Sequence, residues 1–339
     1  MKYIEIFLNG YAGYANYLWY EITHPAWHNY FYWLLLVSAF FFVLEWLAPW
    51  RKNQPKFRND FWMDFFYMFF NFFLFSLIIY NAASDVGVNL FKDMLAMVGV
   101  NNLLVVEVQS WPIWAHLILG FFVRDFVQWN IHRLLHRSDT LWEFHKVHHS
   151  VEQMGFAAHL RYHWMENVVY RAIEYIPLAM IGIGLSDFFI IHIFTLAVGH
   201  YNHSNITVSG RITGSVFGFL VGIFALSQLG WAVNVQAIGL VLASTAVGGV
   251  LLAPYMKYIF NSPEMHIWHH SYELPENRRY GVNFGLSLAC WDYIFGTAYI
   301  PHDGRDIRLG FPGIEAYPHD FVQQNLHGFG LTAHEKKEH

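Results

Sequence analysis

The stretch 132-HRLLHRSDTLWEFHKVHH-149 packs five histidines into eighteen residues, and a triplet of the same internal spacing, 266-HIWHH-270, follows far downstream. On a helix, residues three and four apart share a face. His132 and His136 therefore point to one place, and the triplets His145/His148/His149 and His266/His269/His270 each gather their imidazoles likewise. Eight neutral nitrogen donors exceed what one ion can use. Imidazole suits iron, copper, zinc and nickel, so the spacing predicts a dinuclear metal site. With 21 His in the chain some close pairs arise by chance, and His327, His334 and His339 read as such strays.

The surroundings of these motifs are apolar. Hydrophobic residues make up 55% of the chain, aromatic residues 19% and charged residues only 13%, against about 25% charged in soluble domains. Segments 31–50 and 62–80 are each near the ~20 apolar residues that cross a bilayer core, and 112–131 carries the HxxxH pair at its end. Segments 164–185 and 188–203 read as a hairpin turning at Ser186-Asp187, and 212–255, broken near Gly230, as another. Seven crossings are expected. The fold class is an all-α integral membrane protein, a transmembrane helical bundle with a cytoplasmic His-rich metal-binding cap.

Charge sets the orientation. If Arg51, Lys52, Lys56 and Arg58 are cytoplasmic, the positive-inside rule returns the end of the third span to the same side. Segments 131–167, 200–213 and 253–339 then share that face with most remaining Lys and Arg, leaving Lys2 and Lys92 outside. All three histidine motifs converge on the cytoplasmic rim. The N-terminal twenty residues lack a basic region followed by a clean apolar core, so no removable signal is expected. They read as an outer or interfacial segment, and 83–111 as an interfacial loop. A single cysteine, Cys290, excludes an intramolecular disulfide, a plant-type iron–sulfur cluster and a CxxC site. At a net charge of -5 and without a basic patch, nothing points to nucleic acid.

The order HRLLH (132–136), HKVHH (145–149) and SPEMHIWHH (262–270), with YGVNFGLSLACWDYIFGT (280–297) after it, resembles the fatty acid hydroxylase and sterol desaturase superfamily of membrane oxygenases. The resemblance covers about 112–300 with a break. It divides the chain into N-terminal spans and outer loop (1–111), a catalytic domain (112–300, with an inserted hairpin at about 212–255) and a cytoplasmic tail (301–339). It implies two iron ions, O2 as co-substrate, a lipid drawn from the bilayer and electrons from a separate redox protein. Zinc binds imidazole more tightly than iron does, so a purified sample can carry zinc instead. Family members add histidines between the second and third motifs, which here match His163 and His203; His200 stands three rather than four residues before His203, and His159 has no counterpart.

The resulting ligand set is His132, His136, His145, His148, His149, His163, His203, His266, His269 and His270. Asn205 and Asp292 are candidates to orient a water or an imidazole. Asp125, seven residues before His132 on the same helical face, is an ionisable group at membrane depth. Its rival reading is an ion pair with Arg124 or Arg171. The expected activity is O2-dependent hydroxylation or desaturation of a lipid C–H bond. A bis-His haem electron carrier and a divalent-metal transporter are the alternatives; the first needs paired ligands at similar depth and the second needs ligands near the midplane.

Overall fold

The computed structural model describes residues 1–230 and 234–332; all regular structure among them is helical, with only isolated antiparallel pairings such as Pro49 with Ile206. The tyrosine-rich N-terminus forms α1 (Lys2–Thr23), followed by α2 (Tyr30–Leu47) and α3 (Phe61–Met97). The aromatic run that opens α3 passes through two π-type turns, Phe70–Leu74 and Ser76–Tyr80, without breaking. This corrects the expected loop at 83–111: the helix continues to Met97. The polar residues that gave its second half a loop-like pattern are covered by α1. Gly10 lies so close to Asp85 that a Cβ there would come within 2.6 Å of the carboxylate, and the Tyr3 hydroxyl donates to Asp93 at 2.8 Å.

The next four helices carry most of the site. In α4 (Ile113–Arg137) the chain runs to Ser138, which caps α5 (Asp139–His149) and re-aims it. A short 3-10 segment, Phe156–Leu160, leads into α6 (Trp164–Met180) and α7 (Leu185–His203). Their turn lies at 181–184, with Gly182 at φ +71°, earlier than the expected Ser186-Asp187. Asp187 instead sits in the first turn of α7, accepting from the Gly184 N–H at 3.4 Å and the Gln109 amide at 2.7 Å.

The apolar insertion is a helical hairpin, α8 (Gly210–Leu229) and α9 (Val235–Leu252). Gly214, Gly218 and Gly248 bring the two backbones together: a Cβ at Gly218 would lie 2.1 Å from the Ser244 carbonyl oxygen. Gly218→Leu should push the hairpin apart, at the roughly 1–3 kcal/mol that overpacking costs. The check is the melting temperature in detergent, and no loss would deny the close packing. Beyond the hairpin come α10 (Pro263–His269), α11 (Cys290–Ile294) and α12 (Phe321–His327).

Among the described residues, four helices are long and apolar enough to cross a bilayer: α2, α3, α8 and α9. Their outer faces expose Leu36, Phe40, Leu220, Leu242 and Val250, surface that water would not tolerate and lipid would. The chain is a multi-pass membrane protein. The other three expected spans became α4, α6 and α7; α6 has only 17 residues, and all three carry buried acidic or basic groups, Arg124 and Asp125 on α4, Glu166 and Glu174 on α6 and Asp187 on α7. The described part of the C-terminal segment, 301–332, packs on the bundle. Phe311, Ile314 and Tyr317 pack with Val147 and Tyr67, and α12 lies against α5.

Candidate metal centre

Among the described residues, nine imidazoles meet in two groups. His132, His136, His145, His149 and His269 form one, and His148, His203, His266 and His270 the other, with the donor atoms of each group within 4.8 Å of one another. The triplets do not each serve one place. His145/His149 and His266/His270 are pairs four apart and stay together, while the residue three from the first of each pair, His148 or His269, joins the opposite group. A helix turns about 100° per residue, so the i+4 side chain lies about 40° from i and the i+3 side chain about 60° away on the other flank. With α5 and α10 face to face, that divergence sends one imidazole across in each direction.

Ring orientation is fixed from behind. His132 Nδ1 donates to the Phe284 carbonyl at 2.8 Å, His269 Nδ1 to Val282 at 2.8 Å, His148 Nδ1 to Arg161 at 3.0 Å and His203 Nδ1 to Gly199 at 2.8 Å. His145 Nδ1 donates to the Glu166 carboxylate at 2.9 Å. With Nδ1 as donor, each of these rings presents its Nε2 lone pair to the centre.

Those lone pairs have no protein partner that suits them. His145 Nε2, His269 Nε2 and both nitrogens of His270 are buried without a hydrogen bond, and His203 Nε2 faces His148 Nε2 at 3.3 Å. Opposed lone pairs and orphaned buried nitrogens are costly in protein alone. They are what a cation in each group would satisfy, so the residues fit two metal ions.

Burial pushes the His148 imidazole down to about 3. It holds His145, His149, His266, His269 and His270 well below their usual range, with neighbouring imidazoles adding to the effect. The ligands are therefore neutral at pH 7, as metal binding requires. The unfolded chain takes up protons below about pH 6.5 that the folded site refuses, so stability present above that pH is lost as it falls. The metal-free protein should melt at progressively lower temperature from about pH 6.5 to 4; a flat profile would contradict neutral burial.

Each remaining candidate has a definite place. His163 is not with the others: its Nδ1 accepts from the Met165 N–H at 3.0 Å and its Nε2 donates to the Asn325 carbonyl at 3.0 Å, so it caps α6 with both nitrogens engaged. Asn205 does not reach the imidazoles. It accepts from the Arg51 N–H at 2.8 Å and donates to the Arg51 carbonyl at 3.1 Å, stitching the end of α7 to the loop after α2. His327 pairs with Glu143 at 3.3 Å, away from the centre, and His334 and His339 lie outside the described residues.

Asp125 and Asp292 act one step removed from the rings. Asp292 accepts from the Phe284 and Gly285 N–H groups, Trp129 Nε1 and the Thr297 hydroxyl, all within 3.0 Å. Asp125 accepts from Trp291 Nε1 at 2.9 Å and from the Ser287 and Leu288 N–H groups at 3.1 and 3.3 Å. Together they clamp the loop whose carbonyls hold His132 and His269. Asp125 makes no ion pair with its neighbour Arg124, which turns to Glu174, Thr195 and His192.

Sequence reasoning did not single out Glu166, although it lies in the quoted region after His163. Nor did it find Arg161, whose guanidinium is held by Asp60 at 2.9 Å and Asp64 at 3.2 Å while its carbonyl fixes His148. His159 approaches from the 3-10 segment, its Nδ1 3.0 Å from His200 Nδ1, and only a glycine at 199 leaves room for its ring. Glu166→Gln removes the anionic partner of His145. It should weaken metal binding by roughly 10–100-fold, read by chelator competition, and unchanged affinity would show that the carboxylate is incidental.

Comparison with known proteins agrees with this geometry. The family model described as fatty acid hydroxylase matches residues 117–220, which hold the first two motifs and His203. Ornithine lipid hydroxylase OlsE of Rhizobium tropici is 26% identical over 204 residues, 60% of this chain and 48% of that protein. The chain thus spans about half the length of this curated relative. No solved structure matches. The matched domain, the three histidine motifs and the all-helical bundle agree, and together they support the fatty acid hydroxylase and sterol desaturase superfamily for this chain.

Proposed function

We propose that this protein is a membrane-bound non-haem di-iron oxygenase that hydroxylates a C–H bond of a lipid. The observation that carries the reading is the pair of imidazole groups bordering a cavity inside an apolar helical bundle, with His132, His145, His148, His203 and His266 in the cavity wall. The reaction balances as R–H + O2 + two electrons + two protons → R–OH + water. O2 takes four electrons, two from the substrate carbon and two from an external redox protein. The iron pair supplies O2 activation and electron storage when bound. The chain's own residues hold the imidazoles neutral and oriented, and close the site from water.

The relative's name favours hydroxylation over desaturation and a lipid over a soluble substrate. The distribution of Lys and Arg supports a cytoplasmic position for the histidine face, where an electron donor can dock. Nine converging nitrogens exceed the two axial ligands of a bis-His haem. The test is mass spectrometry of lipid extracts from cells with and without the protein, alongside metal analysis. A lipid heavier by one oxygen supports hydroxylation, and a loss of two hydrogens would redirect the reading to desaturation. No modified lipid with iron-loaded protein, O2 and a working reductant would overturn it.

A further inference from the structure

Of the nine converging imidazoles eight are buried, and His136 alone reaches the surface in part. Its cover is thin on two sides. Gly281, at φ +105°, approaches so closely that a Cβ there would lie 3.0 Å from His136 Nδ1, so a larger residue would push on the ring. On the other side lies Trp142, itself only partly buried, its ring centroid 5.0 Å from that of His136, 5.1 Å from His149 and 6.1 Å from His145. The edge formed by Trp142, His136 and Gly281 is where the five-histidine group meets the outside.

Cations crowd this edge. Arg137 follows His136 in sequence, Arg133 stands one turn earlier, and the turn that presents Gly281 carries Arg278 and Arg279, the Gly281 N–H donating to the Arg278 carbonyl at 2.9 Å. Among the described residues none of these four enters an ion pair, whereas Lys146 and Arg308 are matched by Glu143 and Glu315. Within three residues of them in sequence stand two acids, Asp139 and Glu276, so positive charge prevails. Arg133 marks the depth. It stacks over Trp129 at 4.4 Å, beside the exposed ring of Phe295, and arginine over aromatics is the pattern of a membrane surface. Arg137, four residues on, lies about 6 Å beyond that level. Lipid head groups reach Arg133, but a partner for the exposed Arg137 and Arg279 comes from the aqueous side.

We propose that this edge is the docking surface for a water-soluble, acidic one-electron carrier protein, whose electrons enter through His136 and Trp142. This rests on the di-iron reading for the electrons' destination but not for the docking. Each encounter oxidises the carrier by one electron and reduces the metal pair by one, so two encounters supply the two electrons that hydroxylation consumes. Tunnelling decays steeply with distance, so the carrier must meet the least covered ligand, and opposite charge brings it there quickly.

The first arm of the test uses zinc-loaded protein in nanodiscs of zwitterionic lipid, where no electron moves, with a plant-type ferredoxin as the acidic probe and cytochrome c as the basic one. Ferredoxin should bind, more weakly as salt rises, and cytochrome c should not. Arg137→Gln combined with Arg279→Glu should weaken ferredoxin binding at least roughly tenfold, with two metals per chain and the melting temperature kept; glutamine at 137 avoids placing an acid at the C-terminal end of α4. No ferredoxin binding at low salt, or equal binding of the two carriers, by the unaltered protein overturns the proposal whatever the variant does. So does ferredoxin binding that the double substitution leaves unchanged, or an effect confined to the anionic lipid that co-purifies, which would make the edge a lipid site. In the second arm, stopped-flow absorbance of iron-loaded protein should show slower reduction of the variant by ferredoxin but equal reduction by photoreduced deazariboflavin, a small uncharged reductant. Equal slowing by both overturns entry at this edge. Selective docking and reduction without any oxygenated lipid sinks the hydroxylase reading alone.

Discussion

His266→Ala will leave the protein with one firmly held metal instead of two and without measurable product. His266 belongs to the smaller group, and its removal leaves only His148, His203 and His270 there. The loss in affinity should exceed the roughly 100-fold upper figure for deleting a mere supporting partner. On the proposed di-iron reading, turnover should fall with it. Elemental analysis after desalting reads the first effect and product mass spectrometry the second. His163→Ala is the matched control: that imidazole is equally buried but stands outside both groups, so two metals should remain. Retention of both metals by the His266 variant would show that the grouping is wrong.

Asp292→Ala should cost several kcal/mol of stability. One buried carboxylate satisfies four donors, those of Phe284, Gly285, Trp129 and Thr297. Each buried donor left without a partner costs about 1–3 kcal/mol, against a total of about 5–15 kcal/mol for a typical domain. The damage is also directional. The freed loop carries the carbonyls of Val282 and Phe284, which hold His269 and His132, both in the five-histidine group. A large drop in melting temperature should accompany preferential loss of that group's metal. Asn205→Ala, which cuts only the stitch to Arg51, should lower stability modestly and leave metal content alone. Equal effects of the two substitutions on metal content would refute the clamp.

The histidine spacing, the apolar spans around it and the absence of usable cysteine chemistry were legible in the chain because each is local: helical periodicity and transfer free energy need no partner. They fixed an all-helical membrane protein and eight of the nine converging imidazoles, with the ninth, His203, suggested by family resemblance. Three things needed the fold. The exchange of His148 and His269 between groups depends on how α5 and α10 face each other, which no spacing encodes. The loop carbonyls that orient the rings belong to the backbone, so residue identity is silent about them, and the acids that hold that loop lie at positions 125 and 292 from different ends of the domain. His163 shows the converse, a histidine in a plausible place whose two nitrogens are consumed by a helix cap and a neighbouring carbonyl. The sequence by itself determined which side chains can bind metal and that apolar segments long enough to cross a bilayer accompany them. Only the tertiary structure decided which of them meet, because convergence is a property of helix orientation and of buried hydrogen bonds between distant segments.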